Sequence, residues 1–238
     1  MRAVILAGGR GTRLRPYTTV FPKPLMPIDD MPILEVVIRQ LRHAGITDIV
    51  MAVGHLAELL EAYFGDGHRW GVHIMYSREE QPLGTAGPLA LIPNLDETFL
   101  VMNGDVLTTM DYRALIAEHR RRGGTATIAT HARSVKIDLG VIETDEVGRL
   151  TGYIEKPTYH YRVSMGIYVF EPAVRAYIEV GQRLDFPDLI HLLLGAGQPV
   201  QTFPFDGYWL DIGRPDDYEQ AIEEFARLRA QFLPDTGS

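Results

Sequence analysis

A glycine-rich loop with two arginines follows a short apolar segment near the start of the 238-residue chain, where residues 6–14 read LAGGRGTRL. Because glycine has no Cβ atom, the backbone N–H groups of such a loop can close around an anion without steric conflict. The charged residues between positions 1 and 28 are all basic, although the whole chain has a formal net charge of -8: Arg2, Arg10, Arg13, Arg15 and Lys23. Guanidinium groups suit phosphate oxygens, and lysine adds a compact point charge. The pattern predicts a site for a polyphosphate.

Two aspartates have surroundings that suit a magnesium ion. Asp105 follows Gly104 at the end of a predicted strand, and Asp211 lies between two apolar residues in another. Mg²⁺ takes oxygen ligands, usually one or two carboxylates, and phosphates and waters complete its octahedral shell. A buried carboxylate without a partner is also unfavourable, which favours a ligand at Asp211. The alternative for each aspartate is a helix cap or an ion pair.

Strands and helices alternate in the first half of the chain. The pattern predicts strands over residues 4–7, 49–53, 72–76 and 99–102, and helices from Pro32 to Gly45, over 56–63 and over 85–91. Alternation of this kind indicates a parallel sheet that is covered on both faces. Ligands of such sheets bind beyond the carboxyl ends of the strands, where the glycine loop and Asp105 both fall.

The second half is richer in strands. Strands are predicted over residues 126–130, 140–143, 150–154 and 166–170, and helices over 173–180, 186–194 and 215–232. We expect one domain over residues 1–233, in which residues 1–110 mainly bind a nucleotide and residues 111–233 mainly bind a second substrate. Residues 234–238 are expected to form a loose tail.

The composition excludes several classes of protein. The chain has no cysteine, which excludes disulfides, thiolate catalysis and sulfur-ligated metals. Its acidic balance argues against a nucleic-acid partner. The opening apolar run is too short for a signal peptide, and no stretch approaches the roughly 20 apolar residues of a membrane span, so we expect a cytoplasmic protein without a membrane partner. A G-x-G-x-x-G fingerprint is missing, which argues against a nicotinamide-dependent dehydrogenase.

Several segments together resemble the sugar-1-phosphate nucleotidyltransferases, also called nucleotide-sugar pyrophosphorylases. The glycine loop with the PKPL segment at 22–25 is similar to the hallmark of that family, and the resemblance extends over nearly the whole chain. Further similar segments are QPLGTAG (81–87), NGD (103–105), LGVI (139–142), EKP (155–157) and YWLDIG (208–213). The resemblance implies a single Rossmann-like (GT-A-like) α/β domain with a mixed, mostly parallel central sheet flanked by helices.

The resemblance also implies roles for individual residues. Catalysis is assigned to Arg13 and Lys23, and Mg²⁺ to Asp105 and Asp211. Nucleotide binding is assigned to Leu6, Ala7, Gly8, Gly9, Gly11, Thr12, Glu79, Gly84 and Thr85. Sugar-phosphate binding is assigned to Gly140, Glu155, Lys156 and Ser164, although an exposed ion pair is the alternative for Glu155 and Lys156. The family usually has asparagine where this chain has Ser164, so the sugar contact there differs.

The implied reaction converts a sugar 1-phosphate and a nucleoside triphosphate into a nucleotide-sugar and pyrophosphate. The run EEQPLGTAG (79–87) looks most like that of GDP-mannose pyrophosphorylases. A carboxylate can accept both N1–H and N2–H of guanine, so Glu79 or Glu80 facing the site favours GTP, with mannose or heptose 1-phosphate. The alternatives are a glucose-1-phosphate uridylyl-, thymidylyl- or cytidylyltransferase, and a non-catalytic regulator that binds sugar nucleotides. Relatives are often dimers or tetramers, and we expect a homodimer or homotetramer.

Overall fold

The computed structural model describes residues 1–233, and its centre is a seven-stranded mixed β-sheet. The β-strands are β1 (Arg2–Leu6), β2 (Pro27–Ile28), β3 (Met31–Pro32), β4 (Asp48–Val53), β5 (His73–Arg78), β6 (Phe99–Asn103), β7 (Val106–Thr108), β8 (Ala126–Lys136), β9 (Val141–Thr144), β10 (Leu150–Ile154), β11 (Thr158–Phe170), β12 (Val200–Phe205) and β13 (Trp209–Asp211). The α-helices are α1 (Ile33–His43), α2 (Ala57–Phe64), α3 (Tyr112–Arg122), α4 (Phe186–Gly195) and α5 (Pro215–Phe232). The predicted α/β class is confirmed.

The central sheet is mostly parallel. Its strand order is β12-β8-β11-β6-β1-β4-β5. Within residues 1–233, β11 is the one strand of this sheet that runs antiparallel to its neighbours, β6 and β8. The pairs β1–β4, β1–β6, β4–β5 and β8–β12 are parallel. Parallel strands end at a common edge, so the loops after β1, β4, β5 and β6 meet there.

Apolar side chains cover the sheet on both faces. The side chains of Ala3, Val4 and Ile5 in β1 are fully buried, which explains why this strand is a continuous apolar run. Helices α1, α2 and α3 pack on one face, and α4 with the 3₁₀ turn Gly87–Leu91 packs on the other. A third cluster lies under α5 and joins that helix to the segment after the glycine loop.

The structure corrects several predicted boundaries. β8 continues past residue 130 to Lys136, and β11 begins at Thr158 rather than 166. The helices predicted over 85–91 and 173–180 are short 3₁₀ turns, Gly87–Leu91 and Pro172–Tyr177. Strands β2, β3, β7 and β12 lie outside the predicted strands. The predicted tail, residues 234–238, lies outside the described residues.

The extensions of β8 and β11 have a physical explanation. Their outer residues pair only with each other, because β6 reaches β11 at Ile167–Phe170 and β12 reaches β8 no further than His131. Residues 132–163, including the β9–β10 hairpin, therefore project from the sheet; we call them the arm. Exposed on both faces, the arm lacks the apolar periodicity that a buried strand shows.

Of the helices within residues 1–233, none combines the length and the apolar character that crossing a bilayer requires.

Candidate active site

The loops at the carboxyl edge of the sheet enclose a cleft of about 610 Å³. Every predicted nucleotide-binding residue lines this cleft: Leu6, Ala7, Gly8, Gly9, Gly11, Thr12, Glu79, Gly84 and Thr85. Arg13, Lys23 and Asp105 line it as well. Residues from four separate segments are thus brought together because the strands that precede them are parallel neighbours.

The glycine loop is shaped by close contacts at two of its three glycines. Gly11 has a φ of 58°, and a Cβ there would lie 2.9 Å from Cγ2 of Thr18, whose hydroxyl donates to the carbonyl of Gly11 at 2.7 Å. A Cβ on Gly8 would lie 2.9 Å from Oε1 of Glu79, whereas a Cβ on Gly9 would meet nothing within 4 Å. Glycine is therefore needed at Gly8 and Gly11 for packing, while Gly9 leaves open space at the cleft.

Arg13 and Lys23 differ in exposure and in how firmly each side chain is held. Arg13 is exposed in the 3₁₀ turn Thr12–Leu14, and its guanidinium lies 3.3 Å from the position of a Cβ on Gly213. Lys23 is 8% exposed, and its ammonium donates to Oδ2 of Asp105. Prolines on both sides of Lys23 restrict its backbone. Arg10 is exposed and lines the cleft as well, so the site has two accessible guanidinium groups and one fixed ammonium.

The two predicted metal-binding aspartates converge although 105 positions separate them. Strand β13 pairs antiparallel with β7, which sets Asp211 opposite Val106, the residue after Asp105. The backbone N–H of Ile212 donates to the carbonyl of Asp105 at 3.2 Å. Burial raises the pKa of Asp211, and the negative charge of Asp105 raises it further, while Lys23 and Arg13 oppose the shift. The charge of Asp105 thus acts on the carboxylate of Asp211.

The donor set at this site fits Mg²⁺. Oδ1 of Asp105 is buried and makes no hydrogen bond to the described part of the chain. Two carboxylates offer oxygen ligands of the type that Mg²⁺ prefers. Residues 1–233 contain no cluster of three or more His, Cys, Asp or Glu residues suited to a metal. A magnesium ion held here would therefore take its remaining ligands from phosphate oxygens and water.

The predicted sugar-phosphate residues do not line the cleft. Glu155 and Lys156 are exposed on the arm, where Nζ of Lys156 lies 3.8 Å from Oε1 of Glu155. Gly140 packs against Tyr153, whose hydroxyl donates to Oε2 of Glu155 at 3.2 Å. The three residues thus form a group of their own, with the geometry of a surface ion pair.

Ser164 lies at the base of the arm, nearer to the cleft. Its hydroxyl donates to the hydroxyl of Tyr168 at 3.0 Å and accepts from the N–H of Gly166 at 3.3 Å. A Cβ on Gly166 would lie 2.5 Å from Nδ2 of Asn103, which lines the cleft. Ser164 therefore borders the cleft through Gly166 and Asn103.

One cleft residue with a clear structural role, Asp185, is not among the site residues predicted from the sequence. Its Oδ1 accepts from the backbone N–H of Thr85 at 2.9 Å. The sequence did contain a signal, because an aspartate directly before Phe-Pro at a predicted helix start is typical of an N-cap. Only the tertiary structure brings that helix end to the cleft.

Residues 2–227 match the nucleotidyl transferase family. The chain is 40% identical to the UTP–glucose-1-phosphate uridylyltransferase of Synechocystis, over 93% of this chain and 62% of the relative. It is 36% identical to the mannose-1-phosphate guanylyltransferase catalytic subunit beta of Drosophila pseudoobscura, over 91% of this chain and 60% of the relative. The chain thus spans about three fifths of the length of these curated relatives.

Solved structures share the fold. A protein from Bacillus anthracis described as a glucose-1-phosphate thymidylyltransferase, crystallised with sucrose, superposes with a TM-score of 0.76 and 25% identity over 94% of each chain. HddC from Yersinia pseudotuberculosis superposes with a TM-score of 0.73 and 24% identity, over 94% of this chain and 99% of HddC.

Proposed function

Since the chain belongs to the nucleotidyl transferase family, we propose that it is a sugar-1-phosphate nucleotidyltransferase, which forms a nucleotide-sugar and pyrophosphate. One observation carries this proposal. The glycine loop, Arg13, Lys23 and Asp105 line a single cleft, and Asp105 is close enough to Asp211 to raise its pKa. Loop amides and cations suit a triphosphate, and the carboxylates suit the metal that accompanies it.

In the proposed reaction, an oxygen of the sugar phosphate attacks the α-phosphorus in line. The new bond joins that oxygen to the α-phosphorus, and the bond from the α-phosphorus to the bridging oxygen breaks, so its electron pair leaves with pyrophosphate. The protein supplies positioning and charge stabilisation and no covalent intermediate. Arg13 and the loop amides hold the departing pyrophosphate, and Lys23 neutralises charge on the α- and β-phosphates. For Lys156 to orient the sugar phosphate, that substrate must extend from the cleft to the arm, because Lys156 does not line the cleft.

Asp105 and Asp211 would hold Mg²⁺. Bound there, the ion would neutralise charge on the phosphates and act as a Lewis acid. The buried, unpaired Oδ1 of Asp105 supports this assignment, and so does the raised pKa of Asp211, whose carboxylate lacks sufficient compensation from the protein alone.

For the substrates, we favour GTP with mannose 1-phosphate. Relatives named mannose-1-phosphate guanylyltransferase align at 34–36% identity over more than nine tenths of this chain. The second candidate pair is UTP with glucose 1-phosphate, because the Synechocystis relative with that specificity in its name is 40% identical. The share of this chain that aligns is nearly the same in both cases, 93% and 91%, so the two pairs are separated by experiment.

The test is a matrix of the four ribonucleoside triphosphates and dTTP against glucose, mannose and heptose 1-phosphates, with Mg²⁺ and a pyrophosphate-release assay. We expect release with one triphosphate well above the others, and mass spectrometry should identify the matching nucleotide-sugar. Omitting the sugar phosphate is the control. Nucleotide-sugar binding without pyrophosphate release from any pair would contradict the proposal and favour a regulatory protein. Light scattering of the same sample tests the expected homodimer or homotetramer.

A further inference from the structure

We propose that Glu79 and Asp185 are positioning residues that hold the loop over residues 79–87 in its base-accepting shape, and that neither side chain reads the base. This inference rests on the proposed function, because it concerns how the cleft accepts a nucleoside triphosphate. It differs from the expectation that Glu79 selects guanine.

Glu79 is turned toward the protein. One of its oxygens, Oε2, accepts from the backbone N–H of Leu83 at 3.0 Å, which closes the start of the loop. The other, Oε1, is lodged between the backbones after β1 and β4, since a Cβ on Gly8 or on Gly54 would lie 2.9 Å from it. The N–H of Glu79 also donates to the carbonyl of Val53 at 3.1 Å. The carboxylate therefore joins three strand ends, and does not present both oxygens to a guanine.

Asp185 holds the other end of the loop. Its Oδ1 accepts from the N–H of Thr85, and the hydroxyl of Thr85 in turn accepts from the N–H of Phe186 at 2.8 Å. Thr85 thus caps the first turn of α4 from a distant segment, in the place of a local N-cap bond.

The loop is also fitted closely to the segment before α4. The N–H groups of Ala86 and Gly87 donate to the carbonyl of Leu184, at 2.9 Å and 3.0 Å. Gly84 has a φ of 80°, and a Cβ there would lie 2.5 Å from that same carbonyl oxygen. With Glu79 at one end and Asp185 at the other, the loop is held before any nucleotide arrives, and preorganisation of this kind favours binding.

The negative charges of Glu79 and Asp185 are also better suited to holding the loop than to contacting a nucleotide. A carboxylate that faces a triphosphate directly repels it, whereas one that accepts a backbone N–H has its charge partly offset. The bonds to Leu83 and Thr85 need an acceptor oxygen and not a charge. An amide side chain of the same shape supplies that oxygen. Glu79→Gln and Asp185→Asn should therefore preserve the loop, while Glu79→Ala and Asp185→Ala should release it.

The experiment uses the full chain and two readouts. In hydrogen–deuterium exchange, Glu79→Ala should raise exchange at the amide of Leu83 and Asp185→Ala at that of Thr85, while the Gln and Asn variants match wild type. In steady-state kinetics, each Ala variant should lower kcat/KM for GTP and UTP by the same factor, about 10- to 100-fold. Each amide variant should retain more of the wild-type kcat/KM than the matching Ala variant, with an unchanged GTP-to-UTP ratio.

Two results would overturn the inference. A change of more than about tenfold in the GTP-to-UTP ratio for Glu79→Gln would make Glu79 a base-reading residue. Unchanged exchange at Leu83 in Glu79→Ala, or at Thr85 in Asp185→Ala, would remove the positioning role. If wild type releases no pyrophosphate with any substrate pair, the proposed function fails, but exchange still decides whether the two carboxylates hold the loop.

Discussion

Replacing Lys23 with methionine should destabilise the protein more than replacing its partner Asp105 with asparagine. The two side chains form an ion pair and are 10% and 23% exposed. Lys23→Met leaves the carboxylates of Asp105 and Asp211 without the ammonium, and among the described residues the exposed Arg13 is the other cation that acts on Asp211. Asp105→Asn leaves Lys23 close to Asp211, so one opposite charge still compensates it.

The expected losses in the free energy of unfolding differ because Lys23→Met leaves an uncompensated carboxylate and Asp105→Asn does not. Removing one partner of a fully buried ion pair costs about 3–5 kcal/mol, and the partial exposure of Asp105 places Lys23→Met near the lower end, at about 3 kcal/mol. For a chain of this size that is a fall in Tm of about 6–12 °C. Asp105→Asn should cost about 1 kcal/mol, because a hydrogen-bonding group remains at the same place. The double variant should lose less than Lys23→Met alone, because Asp211 then loses the ammonium but is also relieved of the like charge of Asp105.

The assay is urea unfolding of wild type, both single variants and the double variant, which gives the coupling energy directly. Pyrophosphate release is measured on the same samples, and the double variant should regain stability without regaining turnover. The loss in Lys23→Met should also be smaller at pH 5 than at pH 8. Burial and Asp105 raise the pKa of Asp211, so protonation at lower pH relieves the repulsion in the folded state.

Two results would refute this reasoning. Equal losses of stability in the two single variants would mean that the ammonium of Lys23 does not stabilise the carboxylate of Asp211. Strictly additive losses in the double variant would mean that the ion pair contributes nothing to folding.

Three further predictions concern the same site. Asp211→Asn should lower turnover by about 10²–10³-fold, yet raise Tm at pH 7.5. Because the folded-state pKa of Asp211 is raised, its charge opposes folding above that pKa, and the Tm gain should shrink at pH 4.5. Gly11→Ala should cost about 1–3 kcal/mol in urea unfolding because of its φ of 58°, whereas Gly9→Ala, with open space at Cβ, should stay within about 0.5 kcal/mol. Arg13→Ala should lower kcat by about 10²–10³-fold at unchanged Tm, and Arg15→Ala, which does not line the cleft, should match wild type in both.

The elements that were predicted well are those buried on both faces. Ala3, Val4 and Ile5 are fully buried in β1, and this run of apolar residues predicts the strand. The outer halves of β8 and β11 could not be predicted in this way. They form a two-stranded arm in solvent, where residues need not alternate between apolar and polar. The 3₁₀ turns at 87–91 and 172–177 carry apolar residues at helical spacing, which does not distinguish a single turn from a longer helix.

The sequence alone determined which functional groups this protein can bring to a phosphate, because the glycines, the arginines and the proline-flanked lysine that we propose bind it lie close together in the chain. It could not determine which way a carboxylate points. The tertiary structure placed Oε1 of Glu79 against Gly8 and Gly54, which follow neighbouring strands. It also brought Asp185 to Thr85, from which it is 100 positions away in the chain. Strand pairing decided that Asp211 joins Asp105, because hydrogen bonds between β7 and β13 fix a register that no local pattern encodes.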